Sequence, residues 1–142
     1  MPLHLDPALI KPLAERLGIE FIVLHGSAAT GKMGPMSDVD VAVKTAQPLT
    51  LESIGELDLS LSPILQEHLL TVAGWQKREL DILDFDNADP VFKAELCKKG
   101  KLLYEAAPSL FHNFKVQTVL DLLDTEHFRA GQLAYLRKNY GS

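Results

Sequence analysis

Cysteine is nearly missing from this sequence: Cys97 is the one thiol among 142 residues. That excludes an internal disulfide framework and any cysteine-rich zinc site. Long apolar runs are missing as well, and no uninterrupted stretch approaches the ~20 residues a helix needs to cross a bilayer. The opening, MPLHLDPALIKPL, has neither the cationic start nor the continuous apolar core of a signal peptide. Positive charge is short, with 14 Lys and Arg against 19 Asp and Glu and a net charge of −5. A broad basic face for nucleic acid is therefore excluded, whereas a small anionic ligand held through a metal is not. The expectation is a reducing, cytoplasmic setting, with no membrane and no direct nucleic-acid partner.

What is present suits one ordinary domain: 46% hydrophobic and 23% charged residues are enough to bury a core. Asp6 and Pro7 read as the N-cap and first position of a helix that carries Leu9, Ile10, Leu13, Ala14 and Leu17 and stops at Gly18. Phe21 to Leu24 reads as a buried strand, and Gly26 and Ser27 break it. The stretch 28–37, with Gly31, Gly34 and Pro35, reads as turn or loop. The alternation of Asp38 to Val43 predicts a second strand. Residues 44–62 have no clean period, and Ser62-Pro63 looks like a helix start, with Ile64, Leu65, Leu69, Val72 and Ala73 on its apolar face. Leu80 to Phe85 is a third strand candidate, Asp89-Pro90 starts a helix that ends near Gly100, and Leu102 to Tyr104 is a short fourth strand. From Ser109 to about Arg137 the pattern is helical again. The alternation of helix and strand predicts an α/β (α+β) domain: a small mixed β-sheet flanked by helices.

The chemistry concentrates in His25-Gly26-Ser27 and Asp38-Val39-Asp40, with ten residues between Ser27 and Asp38. Side chains alternate across a strand, so Asp38 and Asp40 share a face, about 6–7 Å apart along the chain. Two such carboxylates repel unless a cation sits between them, and hard oxygen ligands select Mg²⁺ or Mn²⁺. Gly26 lets backbone approach a ligand, and Ser27 offers an N–H and a hydroxyl, which suit phosphate oxygens. A phosphate cradle beside a metal site is the equipment of phosphoryl or nucleotidyl transfer. A third carboxylate would complete a two-metal site. Asp81 and Asp84 are three apart, so a regular strand sends them to opposite faces, and periodicity leaves the choice between them open. His25 is assigned no role, Cys97 reads as an ordinary helix residue, and Trp75 has no readable duty.

The Gly26-Ser27 turn, the ten-residue gap and Asp38-Val39-Asp40 resemble the signature of the polymerase-β-like nucleotidyltransferase superfamily. With Gly100-Lys101-Leu102-Leu103-Tyr104-Glu105, the chain resembles its minimal nucleotidyltransferases (MNT), and more narrowly the MntA-type antitoxins that pair with HEPN-domain toxins. The resemblance implies a nucleotidyltransferase fold over residues 1–106, with 107–142 as a C-terminal helical extension on the same domain. It implies that Gly26 and Ser27 contact the triphosphate of ATP, and that Asp38 and Asp40 hold two Mg²⁺ ions. By the family's pattern the third carboxylate, which completes the metal site and activates the incoming hydroxyl, is Asp81. The implied reaction moves AMP from ATP to a tyrosine hydroxyl of a HEPN ribonuclease toxin. Thr30 stands where the family commonly has Arg, and Lys32 is the cation that would take its place at the phosphates.

Two other functions compete. One is a non-catalytic antitoxin that neutralises its partner by complex formation, suggested by the absent Arg and the apolar C-terminal helix. The other is a small-molecule nucleotidyltransferase, for which the residues after 107 offer little room for a substrate-binding domain. Homo-oligomer and hetero-oligomer with the toxin are both left open.

Overall fold

The computed structural model describes residues 4–25, 39–73, 80–124, 135 and 137–139. Helix α1 (Pro7–Leu17) begins where Asp6 Oδ1 accepts the N–H of Ala8 at 3.0 Å. It ends at Gly18, whose φ of 68° is the left-handed conformation that a glycine adopts at no steric cost. The chain turns directly into β1 (Ile19–His25). Strand β2 (Val39–Thr45) follows, then α2 (Leu51–Ala73), β3 (Leu80–Asp84) and a short 3-10 turn (Phe85–Asn87). Helix α3 (Pro90–Lys99), capped by Asp89, leads into β4 (Lys101–Glu105), and α4 (Leu110–Asp124) follows.

The four strands form one mixed sheet in the order β3-β2-β1-β4. β1 is antiparallel to both β2 and β4, whereas β2 and β3 run parallel. The outer edge of β4 is partly covered, because Leu5 donates its N–H to Leu103 O at 2.7 Å. Each face of the sheet has its own core. On one face Ile22, Leu24, Val41 and Val43 meet Ile10 and Leu13 of α1 and Leu57, Leu61 and Leu65 of α2. On the other, Phe21, Val23, Ala42 and Phe85 meet Leu96 and Cys97 of α3 and Phe111 of α4. Four aromatic rings hold this second layer together: Phe21 lies 5.4 Å from Phe85, 5.1 Å from Phe111 and 5.2 Å from Phe114, centroid to centroid.

The sequence expectation of a helix starting at Ser62-Pro63 is corrected here. One helix runs from Leu51 to Ala73 with Pro63 inside it. Its true start is marked by Thr50, whose Oγ1 accepts the N–H of Ser53 at 3.1 Å. The reason lies in the buried stripe Leu57, Leu61, Leu65 and Leu69, spaced four apart on both sides of the proline. Pro63 itself is exposed, so the carbonyl deprived of its helical donor lies on the water-facing side.

Gly100 sits at the joint between α3 and β4 under strict steric demand. A Cβ there would come within 2.1 Å of Val23 Cγ1 and 2.5 Å of Leu96 O. The helix end can approach β1 only because position 100 carries no side chain.

Candidate functional site

The site builds up from strand alternation. On β2, Ala42 packs into the aromatic layer, so Asp40, two residues earlier, belongs to the same face. On β3, Leu83 and Phe85 pack into that layer, which puts Asp81 on the same side. On β1, Phe21 and Val23 do so, which puts His25 there as well. The ladders then align the three. His25 is the register partner of Asp40 across β1 and β2, and Asp40 is the register partner of Asp81 across β2 and β3. His25, Asp40 and Asp81 therefore form a row across three adjacent strands, at the end of the sheet where β1 finishes and β2 and β3 begin.

Asp84 belongs elsewhere. Leu80 and Ile82 pack against the opposite layer, with α1 and α2, and Asp84 shares their parity. Its Oδ1 accepts the N–H of Asp86 at 3.0 Å, which caps the 3-10 turn. The two alternatives that periodicity left open are thus separated by geometry: Asp81 stands beside Asp40, and Asp84 holds a local turn.

The environments in the row differ. Asp81 is exposed, and Asp40 and His25 are half-buried. The His25 ring meets the edge of Phe92, from α3, with centroids 6.4 Å apart and an interplanar angle of 84°. Its Nε2 is a buried nitrogen with no hydrogen-bond partner among the described residues. Burial holds the imidazole below its ordinary pKa of 6.5, while Asp40 and Asp81 push the other way. On the same face, at the far end of β2, Lys44 is engaged with Glu20 at 3.3 Å and Asp86 at 3.4 Å and takes no part in this row.

Asp40 and Asp81 lie side by side, one strand spacing apart, and a divalent cation between them would relieve their mutual repulsion. The donors are carboxylate oxygens, which fit Mg²⁺ or Mn²⁺ better than softer metals. Among the described residues no three His, Cys, Asp or Glu side chains make up a metal cage by themselves. Of the residues singled out from sequence, Gly26, Ser27, Lys32 and Asp38 lie outside the described residues. Sequence reasoning gave His25 no role, and the structure sets it in this row. Its signal was the alternation Phe21-Val23-His25, a polar residue closing an apolar face at the strand end nearest Gly26-Ser27.

The polymerase beta nucleotidyltransferase family profile matches residues 8–109, most of the chain. The chain belongs to the polymerase beta nucleotidyltransferase family. The mixed four-stranded sheet with helices on both faces is this family's fold. Among curated proteins none matches the chain by sequence.

Several solved structures share the nucleotidyltransferase architecture. A toxin–antitoxin MntA–HpeT mutant is 23% identical with a TM-score of 0.62, covering 95% of this chain and 98% of that one. A toxin–antitoxin crystallised with AMP-PNP is 23% identical with a TM-score of 0.59, over 94% and 98%. A tri-AMPylated Shewanella oneidensis HEPN toxin in complex with an MNT antitoxin is 20% identical with a TM-score of 0.51, again over 94% and 98%. At these identities the likeness is one of fold. No helix among the described residues is long and apolar enough to cross a membrane.

Proposed function

We propose that this protein is a Mg²⁺-dependent protein adenylyltransferase that acts as an antitoxin, moving AMP from ATP to a tyrosine hydroxyl of a cognate HEPN ribonuclease toxin. The observation that carries this reading is the lateral register of Asp40 and Asp81 on one face of a nucleotidyltransferase sheet. The structural neighbours lend support, since one holds AMP-PNP and another a tri-AMPylated toxin.

In this reading Asp38, Asp40 and Asp81 hold two Mg²⁺ ions, and Gly26, Ser27 and Lys32 hold the triphosphate. The bound metal supplies Lewis-acid stabilisation of charge on the reacting phosphate. Asp81, exposed at the edge strand, is placed to take the proton of the incoming hydroxyl. The hydroxyl oxygen bonds to the α-phosphorus, the bond from that phosphorus to the bridging oxygen breaks, and pyrophosphate leaves. Asp40, held between two neighbouring strands, orients rather than transfers. Helix α4, at the start of the proposed 107–142 extension, completes the aromatic layer through Phe111 and Phe114.

The test is direct. Incubated with ATP, Mg²⁺ and a cognate HEPN toxin, the folded protein is expected to add one or more AMP masses to a toxin tyrosine. A toxin of unchanged mass whose ribonuclease activity is nonetheless suppressed would replace catalysis with neutralisation by binding.

A further inference from the structure

We propose that His25 is a positioning residue of the nucleotide site, its Nε2–H donating a hydrogen bond to a phosphate oxygen of the bound nucleoside triphosphate. The inference rests on the assignment of Asp40 and Asp81 to nucleotide binding and extends it to a residue that assignment does not use.

Three observations converge. First, His25 stands in register with Asp40 and on the same face as Asp81, at the last position of β1 before Gly26-Ser27. Second, its Nε2 is buried and has no hydrogen-bond partner among the described residues. A buried polar atom left unpaired is costly, which points to a partner supplied by a ligand. Third, the Phe92 ring packs edge-on against the imidazole and restricts where it can turn. The carboxylates beside it call for a cation, and a Mg²⁺ held by one or two carboxylates brings substrate phosphates with it. The oxygens that reach this end of the sheet are then those of the triphosphate. The imidazole Nε2–H donates to such an oxygen, as a hydrogen bond to a charged group and without competing for the hard metal.

The distinguishing signature is a split between stability and binding. His25→Phe keeps the edge contact with Phe92 and removes the orphaned nitrogen, whereas His25→Gln keeps an N–H donor. Thermal unfolding of the free protein, and calorimetric titration with Mg²⁺·AMP-PNP and with Mn²⁺ alone, read the two effects apart. Expected for His25→Phe are an unfolding temperature no lower than that of the wild type, roughly tenfold or greater loss of Mg²⁺·AMP-PNP affinity, and unchanged Mn²⁺ affinity, with His25→Gln recovering part of the loss. Wild-type affinity for AMP-PNP in both variants overturns the proposal. So does loss of Mn²⁺ binding in His25→Phe, which makes His25 a metal ligand, and so does failure of both variants to fold, which makes it structural. If the wild type itself binds no Mg²⁺·AMP-PNP, it is the nucleotide assignment that falls, and the role of His25 falls with it.

Discussion

At the residue scale the row of His25, Asp40 and Asp81 separates side chains that the sequence could only rank. Asp40→Asn and Asp81→Asn are each expected to cut AMP transfer at least a hundredfold, because a metal carboxylate supplies several kcal/mol in the transition state. Asp84→Asn is expected to transfer AMP at nearly the wild-type rate, since Asp84 caps a turn and faces the opposite layer. Toxin mass spectrometry on the three variants checks both outcomes. Cys97 gives a second prediction. Burial pushes its thiol up to about 11, so at pH 8 only about one molecule in a thousand carries the thiolate. Native protein should scarcely react with iodoacetamide, and should react readily in urea. A raised thiol pKa means the folded state holds this proton more tightly than the unfolded chain. Its stabilising contribution is full below pH 9 and is lost as pH rises towards 11, and Cys97→Ala should flatten that decline. Asp40 was legible in the sequence because strand alternation and motif spacing both point to it. Asp81 was preferred to Asp84 only through the family's pattern, because alternation alone cannot say which face of β3 lies beside Asp40; the register of β2 against β3 does.

At the element scale, caps and punctuation were the readable features. Asp6, Gly18, Asp89 and Gly100 mark the ends of α1 and α3 in the sequence and in the structure alike. Helix α2 was not readable, because Pro63 imitates a first-turn proline and hides the leucine stripe that continues on both sides of it. The stripe prevails because tertiary burial outweighs local propensity. Gly100 carries the prediction at this scale. Gly100→Ala inserts a methyl group against Val23 and the carbonyl of Leu96, and should cost about 1–3 kcal/mol, visible as a lowered urea midpoint with an unchanged slope. That steric demand is the physical content of the Gly100-to-Glu105 motif.

At the scale of the whole molecule, the parallel pairing of β2 and β3 and the order β3-β2-β1-β4 came from the structure, since periodicity carries no strand order. The aromatic layer binds the C-terminal helix to the sheet. Phe21→Ala removes the ring on which Phe85, Phe111 and Phe114 converge, and should cost about 3–5 kcal/mol in chemical denaturation. The row of His25, Asp40 and Asp81 runs across the strands rather than along one of them. Its pitch is therefore the ladder's own, about 4.8 Å per step, dictated by amide-to-carbonyl bonding and indifferent to which side chains occupy the rungs. Substitution at any rung changes the chemistry offered there and leaves the ruler untouched, so a descendant of this chain can acquire a new specificity without re-measuring its site.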